Sequence, residues 1–231
     1  MSCVEWLQGI FILICIIASV VMSGFMLING SLSRRSVCYA LMVFGISIYS
    51  VYGWLWITGS EELIESTLYN LTGRIAASVL IYTIFLAFLS TVRLSKGDFI
   101  KVALAAAAPF LILSPRWFIL FNDLSIVFVS VDGHAGHMGS DIAFLHSNIE
   151  IFVYIIMAFA CAIVSLRSLQ GSQRKHMRTA LIGMVVAFLG YVVFNALGNH
   201  SWMYVSLFMF VFMSYKAFSD DVGDDTVEDN V

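Results

Sequence analysis

Long apolar stretches fill most of this chain and limit what it can fold into. Seven of them are long enough to cross a bilayer, at about residues 5–29, 36–58, 74–93, 99–121, 148–168, 179–198 and 201–218. A helix needs about 20 mainly apolar residues to span roughly 30 Å of hydrocarbon. The alternation of polar and apolar residues that marks a membrane barrel is absent over these lengths. The pattern predicts an all-α integral membrane protein with seven transmembrane helices.

The composition indicates the same class. Of the 231 residues, 60% are hydrophobic and 12% are charged, whereas soluble domains are about 45–50% apolar and about 25% charged. We therefore expect a multi-pass protein of a cell membrane, such as the bacterial inner membrane. The net charge of −3 and the lack of a basic run argue against a nucleic-acid partner. The first stretch has no basic leader or small-residue cleavage site, so we interpret it as a retained helix.

Lysine and arginine residues indicate how the predicted helices cross the membrane. Ten of the twelve fall in the first, third and fifth loops or beside the predicted helix ends on the same side. These are Arg34, Arg35, Arg93, Lys96, Lys101, Arg167, Arg174, Lys175, Arg178 and Lys216. Because short cytoplasmic loops carry an excess of these cations, the predicted topology is N-out and C-in. Residues 1–218 then form the transmembrane domain, and the acidic residues 219–231 form a disordered cytoplasmic tail.

The chemistry of membrane enzymes and pumps is missing from the predicted spans. Neither of the protease motifs HExxH and GxSG occurs. Glu5, Asp98 and Glu150 fall at the ends of predicted helices, whereas a pump needs a carboxylate at mid-membrane depth. His176 and His200 fall in predicted loops, which argues against a haem held by two buried histidines. We therefore expect no enzymatic activity and no organic cofactor.

A polar loop between the fourth and fifth predicted helices holds three of the five histidines. Its segment LSIVFVSVDGHAG alternates apolar residues and then reaches Asp132-Gly133, which predicts a small extracytoplasmic β-hairpin. His134 and His137 could bind one divalent metal, with Asp132 or His146 completing the site. The neighbouring glycines argue against this, since a metal site needs rigid ligands. We interpret the loop as a solvated lid and keep a divalent metal at His134 and His137 as the alternative.

A second polar group is predicted near the outer ends of the helices. His146 and Glu150 are four residues apart, so they share one face of the fifth helix. Arg74 and Asn195 fall at the same membrane level on the third and sixth helices. Since polar groups inside a bundle must find partners or water, Arg74, His146, Glu150 and Asn195 form the candidate small-molecule site. The alternative is an ion-pair network that only fixes helix packing.

The order of these features resembles the seven-helix N-terminal sensory region of bacterial histidine kinases and diguanylate cyclases. The resemblance rests on the segments RRSVCYALMVFGISIYSVYGWLW, EELIESTLYNLTGRIAASVLIYTIFLAFLSTV and RKHMRTALIGMVVAFLGYVVFNAL, and on the long loop that begins at FND. It covers nearly the whole chain and implies a sensor. Members of that family continue into a cytoplasmic signalling domain, which this sequence lacks. The resemblance therefore implies a sensor that acts through a partner, or one part of a larger product.

The sequence as a whole favours a membrane-embedded, receptor-like sensor. We expect it to bind a small ligand on its extracytoplasmic side and to signal through a cytoplasmic partner. A transporter, or an accessory subunit of a membrane complex, is the alternative. No internal repeat is visible, and repeats are a usual mark of transporters. A metal-handling membrane protein, based on His134 and His137, is the third hypothesis.

Overall fold

The structure is a computed structural model that describes residues 3–29, 33–59, 67–111, 129–131, 134–136, 140–196 and 200–219. These ranges contain seven helices: α1 (Cys3–Asn29), α2 (Arg34–Thr58), α3 (Thr67–Ser90), α4 (Lys96–Leu111), α5 (Ser140–Ser168), α6 (Gly171–Ala196) and α7 (His200–Ser219). Two short strands, β1 (Val129–Val131) and β2 (His134–Gly136), pair antiparallel with Val131 opposite His134. The strand pair coincides with the hairpin that the sequence predicts between the fourth and fifth helices.

Four helical segments are long and apolar enough to cross a membrane. They are Trp6–Ile28, Arg34–Leu55, Ile149–Ser168 and Gly171–Val193. The apolar parts of α3 and α7, Ile75–Ser90 and Tyr204–Ser219, are shorter. By length and composition the four segments indicate a membrane protein, and the helical class is confirmed. Seven crossings remain a prediction, since residues 112–121 of the predicted fourth span lie outside the residues that the structure describes. The tail from residue 220 also lies outside them.

Helices α5, α6 and α7 begin before their apolar stretches, which corrects three of the predictions. Helix α5 starts at Ser140, so Glu150 lies about three turns inside it and not at its start. Helix α6 starts at Gly171, so His176 lies in a helix and not in a loop. His200 likewise begins α7. Hydropathy marks only the lipid-facing length of a helix, whereas the backbone hydrogen bonds continue into polar surroundings.

The link between α5 and α6 is much shorter than the predicted fifth loop. Only Leu169 and Gln170 separate the two helices. Gly171 has φ of +56°, a left-handed conformation that costs other residues about 1–2 kcal/mol. The short link makes α5 and α6 antiparallel neighbours. It also places Arg167 and Arg174 at the same end of the bundle.

Five of the helices form a ring, in the order α2, α3, α5, α6, α7 and back to α2. Helix α1 packs outside the ring on α2 and α7, and α4 packs outside it on α3. Large side chains fill much of the inside of the ring, including the fully buried Tyr39, Phe88 and Phe210. The ring is not equally tight all round, since within the described residues α5 and α6 contact each other least among ring neighbours. We call this line of contact the α5–α6 seam.

Most of the basic residues collect at one end of the ring, which we call the basic end. Arg34, at the start of α2, donates to the carbonyl of Leu94 at 3.0 Å and lies 4.9 Å from the ring centre of Phe99. One turn further along α2, the Tyr39 ring stacks on Phe218 of α7 at 5.3 Å. The start of α2, the link from α3 to α4 and the end of α7 therefore meet at this end.

Serine side chains begin two of the helices at the basic end. Ser33 accepts a hydrogen bond from the backbone N–H of Ser36 at 3.2 Å, and Ser95 accepts one from that of Asp98 at 3.1 Å. Such caps satisfy backbone donors that lack a partner inside the helix, and each contributes about 1 kcal/mol. The starts of α2 and α4 are therefore encoded locally, beside the basic residues.

Candidate functional site

Glu150 is a carboxylate buried inside a helix bundle. It is 8% exposed. Among the side chains that the structure describes, it is the one charged residue that is buried. The hydroxyl of Ser78, on α3, donates to its Oε2 at 3.4 Å. A buried charge is expensive unless hydrogen bonds or an opposite charge compensate it. Its presence here marks this part of the ring as the candidate functional site.

Two polar contacts hold α3 and α5 side by side and parallel. Ser78 meets Glu150 at one level, and the hydroxyls of Thr91 and Ser165 are 2.7 Å apart further along both helices. Thr91 and Ser165 lie at the basic end, so Ser78 and Glu150 lie toward the other end, which we call the far end. Each contact joins buried groups, so the α3–α5 pair is fixed at both ends of the ring.

The four predicted ligand-binding residues share the far end at the level of the backbone. Arg74 precedes Ser78 by four residues in α3, and His146 precedes Glu150 by four residues in α5. Asn195 lies in the last turn of α6, which starts at the basic end. The structure describes the side chain of Glu150 only, so contacts among the four remain a prediction. Ser78 was missed by sequence reasoning, because one serine in an apolar helix gives no signal.

The predicted metal site falls mostly where the structure gives no description. His134 lies in β2, without a described side chain, and His137 and Asp132 lie outside the described ranges. Among the residues that are described, no group of three or more His, Cys, Asp or Glu could hold a metal ion. A divalent metal at His134 and His137 therefore stays a hypothesis from the sequence.

An apolar cavity of about 60 Å³ lies at the centre of the ring. All five ring helices line it, with side chains that include Tyr49, Ile81, Ile155, Met184, Tyr191 and Leu207. Two further lining residues, Ala77 and Ile151, are the direct neighbours of Ser78 and Glu150. The cavity and the buried carboxylate therefore occupy adjoining faces of α3 and α5. The sequence singled out Glu150 as a candidate and gave no indication of the apolar cavity.

Physical chemistry shows what such a cavity can hold. Apolar cavities stay dry, and they bind apolar molecules of matching size. Side chains that border an unfilled apolar space lack dispersion contacts on that side, and this space measures about 60 Å³. An apolar group that enters supplies part of those contacts. Glu150 and the adjoining cavity thus combine a carboxylate for polar recognition with a space for an apolar group.

Comparisons with known proteins do not place the chain in a family. No protein-family model matches it, and no curated protein matches it either. The resemblance to bacterial sensory regions therefore rests on the sequence segments given above. What the protein does must be argued from the far end, the cavity and the distribution of charge.

Proposed function

We propose that this protein is a membrane-embedded receptor that binds a small ligand at the far end of the ring. It passes the event to a partner protein at the basic end and has no catalytic activity of its own. One observation carries the proposal: the buried Glu150, held by Ser78, adjoins the central apolar cavity. A polar anchor beside an apolar space is the usual composition of a small-molecule site.

The α3–α5 pair offers a route from this site to the other end of the molecule. Glu150 and Ser165 belong to one continuous helix, Ser78 belongs to its parallel neighbour α3, and Thr91 directly follows the last residue of α3. A ligand that competes with Ser78 for the carboxylate changes how the two helices meet. Such a change signals only if the ligand binds one arrangement more tightly than the other. The Thr91–Ser165 contact, next to the basic residues, is where a partner would read it.

The distribution of charge supports an orientation for this receptor. Basic residues near helix ends favour the cytoplasmic side, so the basic end faces the cytoplasm and the far end faces outward. The proposed topology has seven crossings, N-out and C-in, in a cell membrane such as the bacterial inner membrane. Ligand then reaches Glu150 from the extracytoplasmic side or the outer leaflet. The partner is a cytoplasmic signalling protein.

Labelling of single cysteines tests the orientation. In a variant whose native cysteines are replaced by serine, we expect Lys96→Cys and Arg174→Cys to resist a membrane-impermeant maleimide in intact cells. Asp132→Cys, in the predicted outer loop, should react. Permeabilised cells serve as the control, because all three sites should then react. Reaction of Arg174→Cys from outside would reverse the orientation and every statement about which side the ligand comes from.

Ligand binding is tested with purified protein in lipid nanodiscs and a panel of water-soluble amines, alcohols and carboxylates. We expect at least one compound to raise the melting temperature, with an affinity about tenfold or more weaker in Glu150→Gln. Loss of one charged hydrogen bond corresponds to about 1.5–3 kcal/mol, and 1.4 kcal/mol is tenfold. Asp98→Asn is the matched control, because it neutralises an exposed carboxylate at the basic end.

Two further measurements separate a receptor from a transporter. Spin labels at Lys96→Cys and Arg167→Cys should report a changed distance at the basic end when the compound is added. Proteoliposomes should not accumulate the compound. Accumulation would favour the transporter hypothesis, and compounds that bind Glu150→Gln as well as the natural protein would remove Glu150 from the site.

A further inference from the structure

The central cavity borders the loosest contact in the ring. Ile151 and Ile155 of α5 line it, as does Phe188 of α6. Their neighbours on the outer surface are strongly exposed, with Phe152 50% and Ile156 64% exposed. The cavity therefore reaches close to the outside of the bundle along the α5–α6 seam.

One aromatic pair bridges this seam. The rings of Phe152 and Phe188 meet edge to face, with centres 5.7 Å apart and planes at 78°. Phe188 lines the cavity and Phe152 lies on the surface. Side chains of exposed residues change rotamer within nanoseconds, so the ring of Phe152 can leave that of Phe188 without any movement of the helices. The seam can therefore open laterally.

The side chains around the seam indicate whether it opens to lipid or to water. Both α5 and α6 contain segments long and apolar enough to cross a membrane. Exposed residues beside the seam are apolar, including Ile156 and Leu189. In a bilayer this surface contacts lipid chains. Glu150 faces Ser78 on α3 and does not line the cavity, so the described lining offers no charge for a charged ligand group.

The size of the cavity identifies the kind of occupant. An engineered cavity of about 150 Å³ in another protein accepts benzene, whereas this one measures about 60 Å³. A rigid ring of that size does not fit, but the narrow end of a flexible chain does. The rest of such a chain would lie in the seam, among residues that already suit lipid.

We propose that the central cavity binds the end of an aliphatic chain, which enters from the bilayer through the α5–α6 seam past Phe152 and Phe188. This names the ligand class of the receptor site, and so it rests on the function proposed above. The chain belongs either to a single-chain amphiphile dissolved in the bilayer or to a phospholipid of the bilayer itself. Both sources present the same uncharged methylene and methyl groups to the cavity.

Photolabelling tests the site with two probes, each used alone in nanodiscs. One is dodecanol with a diazirine at its chain end, and the other is a phosphatidylcholine with the same group at the end of one acyl chain. We expect saturable labelling of Met184 or Ile155, mapped by mass spectrometry, and competition by the matching unlabelled molecule. Labelling by dodecanol alone assigns a single-chain ligand, and labelling by the phospholipid assigns a bilayer lipid.

Cavity-filling variants supply the control. Ala187→Leu adds volume to a buried lining position, and it should lower the labelling of Met184 about tenfold. Ala77→Leu fills the cavity from α3 and serves as the substitute variant if Ala187→Leu does not fold. Labelling of Ile163, exposed on α5 away from the cavity, should stay unchanged. Phe152→Ala opens the seam and should speed the labelling.

The outcomes separate this inference from the proposed function. Absent or unsaturable labelling of Met184 and Ile155, or labelling that survives both filling variants, overturns the chain site. The receptor would still stand if a water-soluble compound bound through Glu150 and changed the distance between labels at the basic end. Saturable labelling supports the chain site. If dodecanol is the probe that labels the cavity and plain dodecanol leaves that distance unchanged, the cavity binds a chain that is not the signalling ligand of the receptor.

Discussion

Gly53→Ala should destabilise the protein by about 3 kcal/mol, at the upper end of what overpacking costs. A Cβ atom at Gly53 would lie 2.1 Å from Cζ of Tyr204, on α7, whereas carbon atoms in contact are about 3.5–4.0 Å apart. Tyr204 is buried, and its ring lies 5.6 Å from that of Tyr49, so it has little room to retreat. The added methyl group therefore forces α2 and α7 apart at the far end. Unfolding in mixed detergent micelles, followed by circular dichroism, measures the loss.

Two comparison variants isolate this clash. Gly24→Ala adds the same methyl group to α1, where nothing lies within 4 Å, and alanine favours a helix by about 0.5–1 kcal/mol over glycine. It should leave stability unchanged or slightly raised. Combining Gly53→Ala with Tyr204→Leu removes the obstructing ring and should recover part of the loss. A Gly53→Ala protein as stable as the natural one would mean that α2 and α7 do not approach in this way.

Helices were predictable from the sequence because a membrane span must be long and apolar. Helix ends were less predictable, since a helix stops where its backbone finds a cap or a turn and not where the apolar residues stop. Helix α5 illustrates this, because its polar start from Ser140 to Asn148 continues the helix ahead of the apolar span. The two-residue link before Gly171 depends on one left-handed backbone conformation, which hydropathy does not detect.

The apolar half of the candidate site was not predictable for a different reason. Helix α3 is apolar on nearly every side, so its sequence does not show which face meets a neighbour. Ser78 becomes a partner of Glu150 only because α3 and α5 run parallel at the right level. The cavity likewise depends on five helices meeting with incomplete contact. Glu150 was predictable because one carboxylate near a membrane span is conspicuous in any sequence.

The alternative of a purely structural ion pair leads to a prediction with an equally large expected effect. Arg74 stands one helical turn before Ser78, whose hydroxyl contacts Glu150, so we expect the guanidinium and the carboxylate to pair. Removal of one partner of a buried pair costs about 3–5 kcal/mol, because the other charge is left uncompensated. Arg74→Ala and Glu150→Ala should each lose about 3 kcal/mol in the same unfolding experiment, at the lower end of this range, since we expect the far end to lie close to the membrane interface.

The double variant decides whether the two residues act together. Arg74→Ala with Glu150→Ala should lose less than the sum of the single losses, by about 0.5–3 kcal/mol, because neither charge is then left alone. Arg174→Ala, which removes an exposed cation of the basic end, should change stability by no more than about 0.5 kcal/mol. Additive losses would show that Arg74 and Glu150 do not pair, which would leave Arg74 for an anionic ligand group. A ligand-induced rise in melting temperature that disappears in Arg74→Ala, while the ligand-free protein melts normally, would then identify that role.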